Sequence, residues 1–313
     1  MKAYIFHEGP LPSGIALDYD PAIFNLPEYL SLQNIGNILS FYLLDKRRNK
    51  AVAGIHFYLE NHLARSPFKA PFGSLECADG INPVFLYRFL EDIELQLTEK
   101  GISGIYIKNP PDAYAPGKWA LLETFFLNQK YIVSEAEVSA VIRVTEVPFA
   151  ETIRHSEKLR LRQAEKAGFT FSDHPLERLP EVYDFISACH REKGYKLSVS
   201  QEELQTAVKR FPDRYLLFAI FQQENIRAAA ISLRVTKNIL YNFLVNHEME
   251  FNHLSPAVLL MEGIYKYCYQ KGIDSLDLGT SAWEEKPNFP LLDFKMHLGG
   301  LPASKFSFYK KIG

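Results

Sequence analysis

A single carboxylate interrupts the short apolar segment Ser275–Gly279. Strand alternation places the two leucines of this segment on one face and Asp277 on the other. At a strand end beside a ligand cleft, such a carboxylate can act as general base for an attacking nucleophile, directly or through a water. The alternative is an aspartate that accepts loop N–H bonds and holds Thr280 and Ser281. Under either interpretation Asp277 shapes a site.

A loop followed by a helix offers a second chemical feature, in the sequence NHEMEFNHLSPA at 246–257. Ser255 and Pro256 occupy the positions that suit an N-cap and a first helical residue. A helix N-terminus presents free N–H groups and a partial positive charge, which suit an anion. The alternative is a well-capped helix with no ligand.

Lys295 follows Phe294 in a short segment with helical character. Its ammonium group suits a phosphate or carboxylate, or a developing negative charge during a reaction. A solvated surface lysine is the alternative interpretation.

Three other groups of residues favour simpler explanations. The spacing of His247, Glu248, Glu250 and His253 does not fit a two-histidine helical metal pair, so no metal site is predicted. The basic run 154–166 is interleaved with glutamates and fits the polar face of a helix, although a phosphate-rich ligand is the alternative. The adjacent Cys189 and His190 are expected to pack in a core, because neighbouring side chains diverge.

The elements that position these residues occur twice in the chain. Gly101 and Gly272, 171 residues apart, each follow a lysine, precede an isoleucine, and separate a helical segment from a strand. A repeat of this length indicates a duplicated domain.

In the second half we expect strands at 215–221, 226–235, 239–245, 275–279 and 304–309, and helices at 255–271 and 291–298. The first half repeats this order, with strands at 39–44, 52–58, 67–73, 104–108 and 137–144 and helices at 83–100 and 118–127. The strand–helix–strand units imply parallel neighbours joined by a right-handed crossover.

Composition is consistent with two domains, 1–148 and 149–313, with the last strand able to pack against the first domain. The 313 residues are 47% hydrophobic, which supports two cores, and a net charge of −2 gives no general attraction to polyanions. Three scattered cysteines, no signal-peptide pattern and no apolar run of membrane length predict a cytoplasmic protein.

The order of elements resembles a tandem of GNAT-type acyltransferase domains, in particular the bacterial-type FemAB-like proteins. The segments that carry this resemblance are SPFKAPFGSLE (66–76), EKLRLRQAEKAGF (157–169), LDLGTS (276–281) and LLDFKMHLGG (291–300). The resemblance implies a mixed α/β fold with two GNAT-like domains, and transfer of an acyl group to an amine by direct attack in the C-terminal domain.

The resemblance also implies roles for particular residues. Asp277 and Lys295 become the catalytic candidates. The expected acyl-CoA site contains Val245, Asn246, His247, Asn252, Ser255, Ala257 and Ser281. The expected substrate-binding residues are Tyr241, Phe251, Trp283 and Phe294.

Two departures from the family pattern leave other functions open. The loop before Pro256 contains no glycine, whereas GNAT pyrophosphate loops have closely spaced glycines. The segment 169–215 is too short and irregular for the coiled-coil arm of Fem proteins, which favours acyl-CoA over tRNA. The alternatives are an aminoacyl-tRNA-dependent transferase acting on a peptidoglycan precursor, and a non-catalytic binding module.

Overall fold

The computed structural model describes residues 4–33, 36–283 and 286–313, with only the backbone of Trp283. The elements of the first part are β1 (Tyr4–Glu8), β2 (Ala16–Leu17), α1 (Pro27–Leu32), β3 (Ile38–Asp45), β4 (Lys50–Glu60), β5 (Leu63–Ser66), β6 (Glu76–Cys77), α2 (Pro83–Glu99), β7 (Gly104–Lys108), α3 (Pro116–Asn128) and β8 (Ile132–Arg143).

The elements of the second part are α4 (Phe149–Thr152), α5 (His155–Lys166), β9 (Thr170–His174), α6 (Leu179–Glu192), α7 (Gln201–Arg210), β10 (Tyr215–Gln222), β11 (Asn225–Thr236), β12 (Ile239–His247), α8 (Pro256–Gln270), β13 (Ser275–Thr280), β14 (Ala282–Trp283), β15 (Lys286–Pro287), α9 (Phe289–His297) and β16 (Leu301–Lys311). Short 3-10 helices occur at Ile23–Asn25, Asp112–Tyr114, Leu176–Arg178 and Met249–Leu254.

The chain divides into two compact units, Met1–Glu137 with Ser304–Gly313, and Val138–Ala303. In the first unit the strand order is β1-β3-β4-β5-β7-β16, with the short strands β2 and β6 on β4. All main neighbours are antiparallel except β5 and β7, which α2 connects. Helices α2 and α3 bury apolar side chains against this sheet, among them Phe89, Ile93, Trp119 and Phe126.

In the second unit the order is β8-β13-β12-β11-β10-β9. Again one pair is parallel, β12 with β13, and α8 connects them. Helix α8 buries ten of its residues, including Leu260, Ile264 and Cys268, because β-sheet and neighbouring helices surround it. Its Gly263 lies against the ring of Phe171, where a Cβ would be only 2.1 Å from the ring.

The two units repeat one pattern of strand pairing. The series β3-β4-β5-β7 and β10-β11-β12-β13 are each antiparallel, antiparallel and parallel. Each series ends in an antiparallel strand taken from the other half of the sequence, β16 in the first unit and β8 in the second. The mixed α/β fold with two GNAT-like copies is therefore confirmed.

Some predicted elements were wrong. Segment 67–73 contains no strand, and β5 precedes it, because Pro67 lacks the N–H that strand pairing needs. Segment 169–215 is not irregular: it forms β9, α6 and α7, and the prolines fall outside the helix interiors. No helix within the described ranges is long and apolar enough to cross a membrane.

Candidate active site

Strands β12 and β13 run side by side only at their beginning. Their parallel pairing joins Ile239 to Ser275, Leu240 to Leu276 and Tyr241 to Asp277. Over the described residues beyond these pairs the two strands have no mutual pairing, although β12 continues to His247 and β13 to Thr280. The sheet of the second unit therefore splits at Tyr241 and Asp277. The corresponding pair of the first unit stays joined over the whole of β5.

An open cleft of 660 Å³ lies at the N-terminus of α8. Its walls come from α5, the end of β12, the following 3-10 segment, the first turn of α8, and α9. The lining residues are Arg160, Gln163, His247, Met249, Glu250, Asn252, His253, Ser255, Ala257, Val258 and Phe294. Most of these side chains are polar, which suits a polar or charged ligand group.

The N-terminus of α8 is arranged differently from that of its counterpart α2. Asn82 caps α2, accepting the N–H of Val84 at 3.0 Å. Ser255 is at the same position of α8 but has left-handed backbone angles, φ 57° and ψ 46°, and makes no capping hydrogen bond. Its side chain is 8% exposed and lines the cleft. The predicted helix start, with Ser255 as N-cap residue and Pro256 as first helical residue, is therefore confirmed, but the Ser255 hydroxyl makes no capping bond and stays available to a ligand.

A polar network holds the end of β12. The Asn246 amide oxygen accepts hydrogen bonds from the Lys193 ammonium and, at 2.9 Å, from the N–H of His247. The Asn246 amide nitrogen lies 2.9 Å from Nδ1 of His190. Burial lowers the pKa of His247 to about 4, helped by Lys193 and opposed by a hydrogen bond to Asn252. His247 is therefore a neutral imidazole in the cleft at neutral pH.

Asp277 and Lys295 are both buried beside the end of β13. Oδ1 of Asp277 accepts the hydroxyl of Ser139 and the N–H of Gly279, each at 2.8 Å. Nζ of Lys295 donates to the carbonyls of Gly279 and Thr280, also at 2.8 Å. Burial lowers the pKa of Lys295 to about 8, and the charge of Asp277 opposes this shift. Together the two side chains stabilise the backbone conformation of Gly279 and Thr280 at the C-terminal end of β13.

The structure brings only part of the predicted site to the cleft. His247, Asn252, Ser255, Ala257 and Phe294 line it. Neither Asn246, which is buried, nor Val245, which is 36% exposed, is in the lining. Ser281 is fully buried, with a hydroxyl that has no hydrogen-bond partner in the described part of the chain.

The remaining predicted substrate-binding residues are not in the lining. Tyr241 is at the base of the strand split, next to Gly279. Phe251 packs against Phe169, with ring centroids 6.3 Å apart. Trp283 belongs to β14, and its side chain lies outside the described residues. Among the described residues, no group of three or more histidine, cysteine or acidic side chains is arranged to hold a metal ion.

Sequence reasoning missed the contribution of α5. Arg160 and Gln163 line the cleft, while Arg160 also donates to the buried Glu157 at 3.0 Å. The basic run 154–166 was the available signal, but interleaved charges occur on any solvated helix. Lys193 gave no signal, because its contact with Asn246 joins positions 53 residues apart.

Comparison with known proteins supports the same interpretation. Residues 151–287 match the family model described as Acetyltransferase (GNAT) domain. The crystal structure of FemX superposes with a TM-score of 0.70 at 11% identity, covering 94% of both chains. No curated protein sequence matches the chain.

Two further structures share the architecture. A tandem GNAT protein from the clavulanic acid biosynthesis pathway gives a TM-score of 0.51 at 11% identity, covering 88% of this chain and 83% of that one. L-PGS from Bacillus licheniformis gives 0.53 at 13% identity, covering 83% and 82%. Residues 151–287 thus match a GNAT acetyltransferase domain, and the whole chain has the tandem GNAT fold that these solved structures share.

Proposed function

We propose that the protein transfers an acyl group from acyl-CoA to an amine acceptor by direct attack in the second unit. The observation that carries this proposal is the open cleft at the N-terminus of α8, beside split strands. The cleft offers free N–H groups, the Ser255 hydroxyl and Arg160 to phosphate oxygens. The strand split gives an extended acyl donor room to approach β12 and β13.

The first unit supports this assignment by contrast. Near the end of its parallel strand pair, Ser66, Ser74 and Asn109 are all buried. The Ser74 hydroxyl donates to Asn109 at 2.7 Å, and the Asn109 amide donates to Glu123 at 3.3 Å. The hydrogen-bonding groups of these side chains are thus occupied within the unit. Asn82, the counterpart of Ser255, makes a capping hydrogen bond. We therefore assign donor binding to the second unit alone.

Catalysis in this proposal depends on positioning. The cleft holds the thioester carbonyl beside the amine, so the reaction becomes effectively unimolecular. Lys295 is buried and acts indirectly: its ammonium group donates to the carbonyls of Gly279 and Thr280 and so holds the end of β13 in place. Asp277 holds Ser139 and Gly279 through hydrogen bonds, and its negative charge favours the protonated form of Lys295. The amine attacks the carbonyl carbon, the C–S bond breaks, and the amine proton leaves through solvent to the thiolate.

An aminoacyl-tRNA donor is the second candidate, because α5 also exposes Arg154, Arg162 and Lys166 on the helix that carries Arg160 into the cleft. Such a surface suits a phosphate backbone, and binding would then weaken steeply with salt. A non-catalytic module finds less support, since the cleft is open, although Lys295 and Asp277 are buried behind it. A cytoplasmic location fits either donor and the three free cysteines.

The test is thermal unfolding with CoA, acetyl-CoA and longer acyl-CoAs, in the wild type and two matched variants. Ala257→Glu adds a negative charge at the second helical position of α8, and Val84→Glu does the same in α2. We expect a saturable rise in Tm for the wild type and Val84→Glu, corresponding to about 2.7 kcal/mol at a hundredfold excess over Kd. Ala257→Glu should abolish the rise.

The absence of a Tm rise with every CoA compound would contradict the proposed donor. A charged aminoacyl-tRNA would then be titrated at two salt concentrations. Salt-sensitive binding would select the second candidate, and no binding would select the non-catalytic module.

A further inference from the structure

One arginine joins the base of the glycine-free loop to the adjacent strand. Arg227 lies on β11 next to Ala228, which pairs with His247 of β12. The Arg227 carbonyl accepts the N–H of Glu248 at 3.1 Å, and its Nη1 donates to Oε2 of Glu248 at 2.7 Å. The two side chains are 19% and 33% exposed. A partly desolvated, charge-assisted pair of this kind is stronger than an ordinary surface ion pair.

The same guanidinium group also covers Phe251. Its Cζ lies 4.0 Å from the centroid of the Phe251 ring, a cation–π arrangement. Phe251 also packs edgewise against Phe169. Arg227 therefore holds the loop at two places, at Glu248 where it begins and at Phe251 in its middle.

This doubly held loop forms much of the cleft wall. The 3-10 segment Met249–Leu254 supplies the lining residues Met249, Glu250, Asn252 and His253. Within it, the N–H of Phe251 donates to the Glu248 carbonyl at 3.2 Å, and the N–H of Ser255 donates to the Asn252 carbonyl at 3.1 Å. The first of these bonds joins Glu248 and Phe251, the two residues that Arg227 contacts.

We propose that Arg227 is a positioning residue for the cleft. Through Glu248 and Phe251 it fixes the loop so that Asn252, His253 and Ser255 present a preformed surface to the acyl donor. A side-chain clamp thus does here what a tight turn of the backbone does in a glycine-containing loop. The nature of the ligand rests on the proposed function, whereas the clamp is a property of the free protein.

The experiment compares Arg227→Met with Arg234→Met, which makes the same substitution on β11 at an arginine that donates to the Lys237 carbonyl. Glu248→Gln removes the charge from the other partner and provides a second, milder variant. Amide hydrogen exchange is measured for 248–254 in the free proteins, and Kd for acetyl-CoA by titration calorimetry. The Tm of each variant reports global stability.

We expect exchange of 248–254 to rise about tenfold in Arg227→Met and by a smaller factor in Glu248→Gln, while Arg234→Met matches the wild type. Kd should rise about tenfold in Arg227→Met, because the free loop must be ordered on binding. Unchanged exchange in both clamp variants would overturn the proposal. Faster exchange with unchanged Kd would also overturn it, since the loop would then be held without any effect on the ligand.

The proposed function can fail independently of the clamp. A wild-type protein that binds no CoA compound would contradict the proposed donor, and the exchange comparison would still decide whether Arg227 holds the loop.

Discussion

At the residue scale, Lys295 connects the end of β13 to α9 through two carbonyl hydrogen bonds. Lys295→Met keeps most of the aliphatic chain but leaves both buried carbonyls without this donor. We expect the free energy of unfolding to fall by about 1–3 kcal/mol, and kcat/KM to fall about a hundredfold because the end of β13 shifts beside the reacting groups. Denaturant unfolding and an acyl-transfer assay measure the two effects, with Lys209→Met, at an exposed position of α7, as control. Wild-type kinetics in Lys295→Met would contradict the assigned role.

The pH profile of the reaction tests whether Asp277 is a base or a supporting charge. Because burial lowers the pKa of Lys295 to about 8, the activity of the wild type should fall as pH rises through about 8. Asp277→Asn removes the charge that opposes this shift, so its activity should fall at a lower pH while activity below that point is largely retained. Loss of activity at every pH would instead identify Asp277 as the general base.

In the first unit, Glu76 should make stability depend on pH. Its carboxylate accepts the N–H of Ala22 at 2.8 Å, and burial raises its pKa from 4.5 to about 7. The folded state therefore binds the proton more tightly. The contribution of Glu76 to the free energy of unfolding is fully present below pH 4.5 and is lost as pH rises through about 7.

Glu76→Gln should remove this dependence. Its free energy of unfolding should change less between about pH 5 and pH 8 than that of the wild type, as measured by urea unfolding at each pH. Glu91→Gln, on the exposed face of α2, serves as control. If the free energy of unfolding changed equally with pH in Glu76→Gln and the wild type, Glu76 would not be the cause of the pH dependence.

Single residues also mark the limit of prediction from sequence. Ser255 and Ala257 were identifiable because caps and helix starts follow local rules. The orientation of the Ser255 hydroxyl could not be predicted, because it depends on the left-handed backbone conformation of Ser255, which the preceding turn determines. Arg160, Lys193 and Arg227 act through partners on other elements, and their types and spacing alone gave no indication of these contacts.

At the element scale, α8 must lie close to β9. The 2.1 Å separation between a Cβ at Gly263 and the Phe171 ring leaves no space for a side chain. We expect Gly263→Ala to destabilise the protein by about 1–3 kcal/mol through overpacking, despite the better helix propensity of alanine. Urea unfolding measures the change.

Gly117→Ala is the matched control, since Gly117 is also helical and has nothing within 4 Å of its Cβ position. It should be neutral or slightly stabilising. Adding Phe171→Leu to Gly263→Ala should recover part of the lost stability. Equal effects of the two alanine substitutions would exclude the packing explanation.

Most elements were predictable because hydrophobic periodicity and glycine positions are local. Helices α2 and α8 begin at the expected prolines, and β7 and β13 follow the repeated glycines. Helices α6 and α7 were missed because their prolines suggested irregular structure, whereas Pro180 lies in the first turn of α6, where proline is tolerated. The domain boundary near Pro148 stays a prediction.

At the scale of the whole molecule, the two units share one pattern of strand pairing but differ at the end of their parallel strand pair. The first unit fills the end of its parallel pair with the buried Ser66, Ser74 and Asn109, and caps α2 with Asn82. The second unit splits its strands and leaves Ser255 uncapped beside an open cleft. We therefore expect the acyl donor to bind in the second unit only.

The most direct test of donor binding in the second unit alone is hydrogen exchange of the whole protein with and without saturating acetyl-CoA. We predict that the donor slows exchange in 247–258 and near Arg160 on α5, and leaves the corresponding first-unit segment 66–84 unchanged. Slower exchange in 66–84, or no change anywhere despite saturating acetyl-CoA, would contradict the claim.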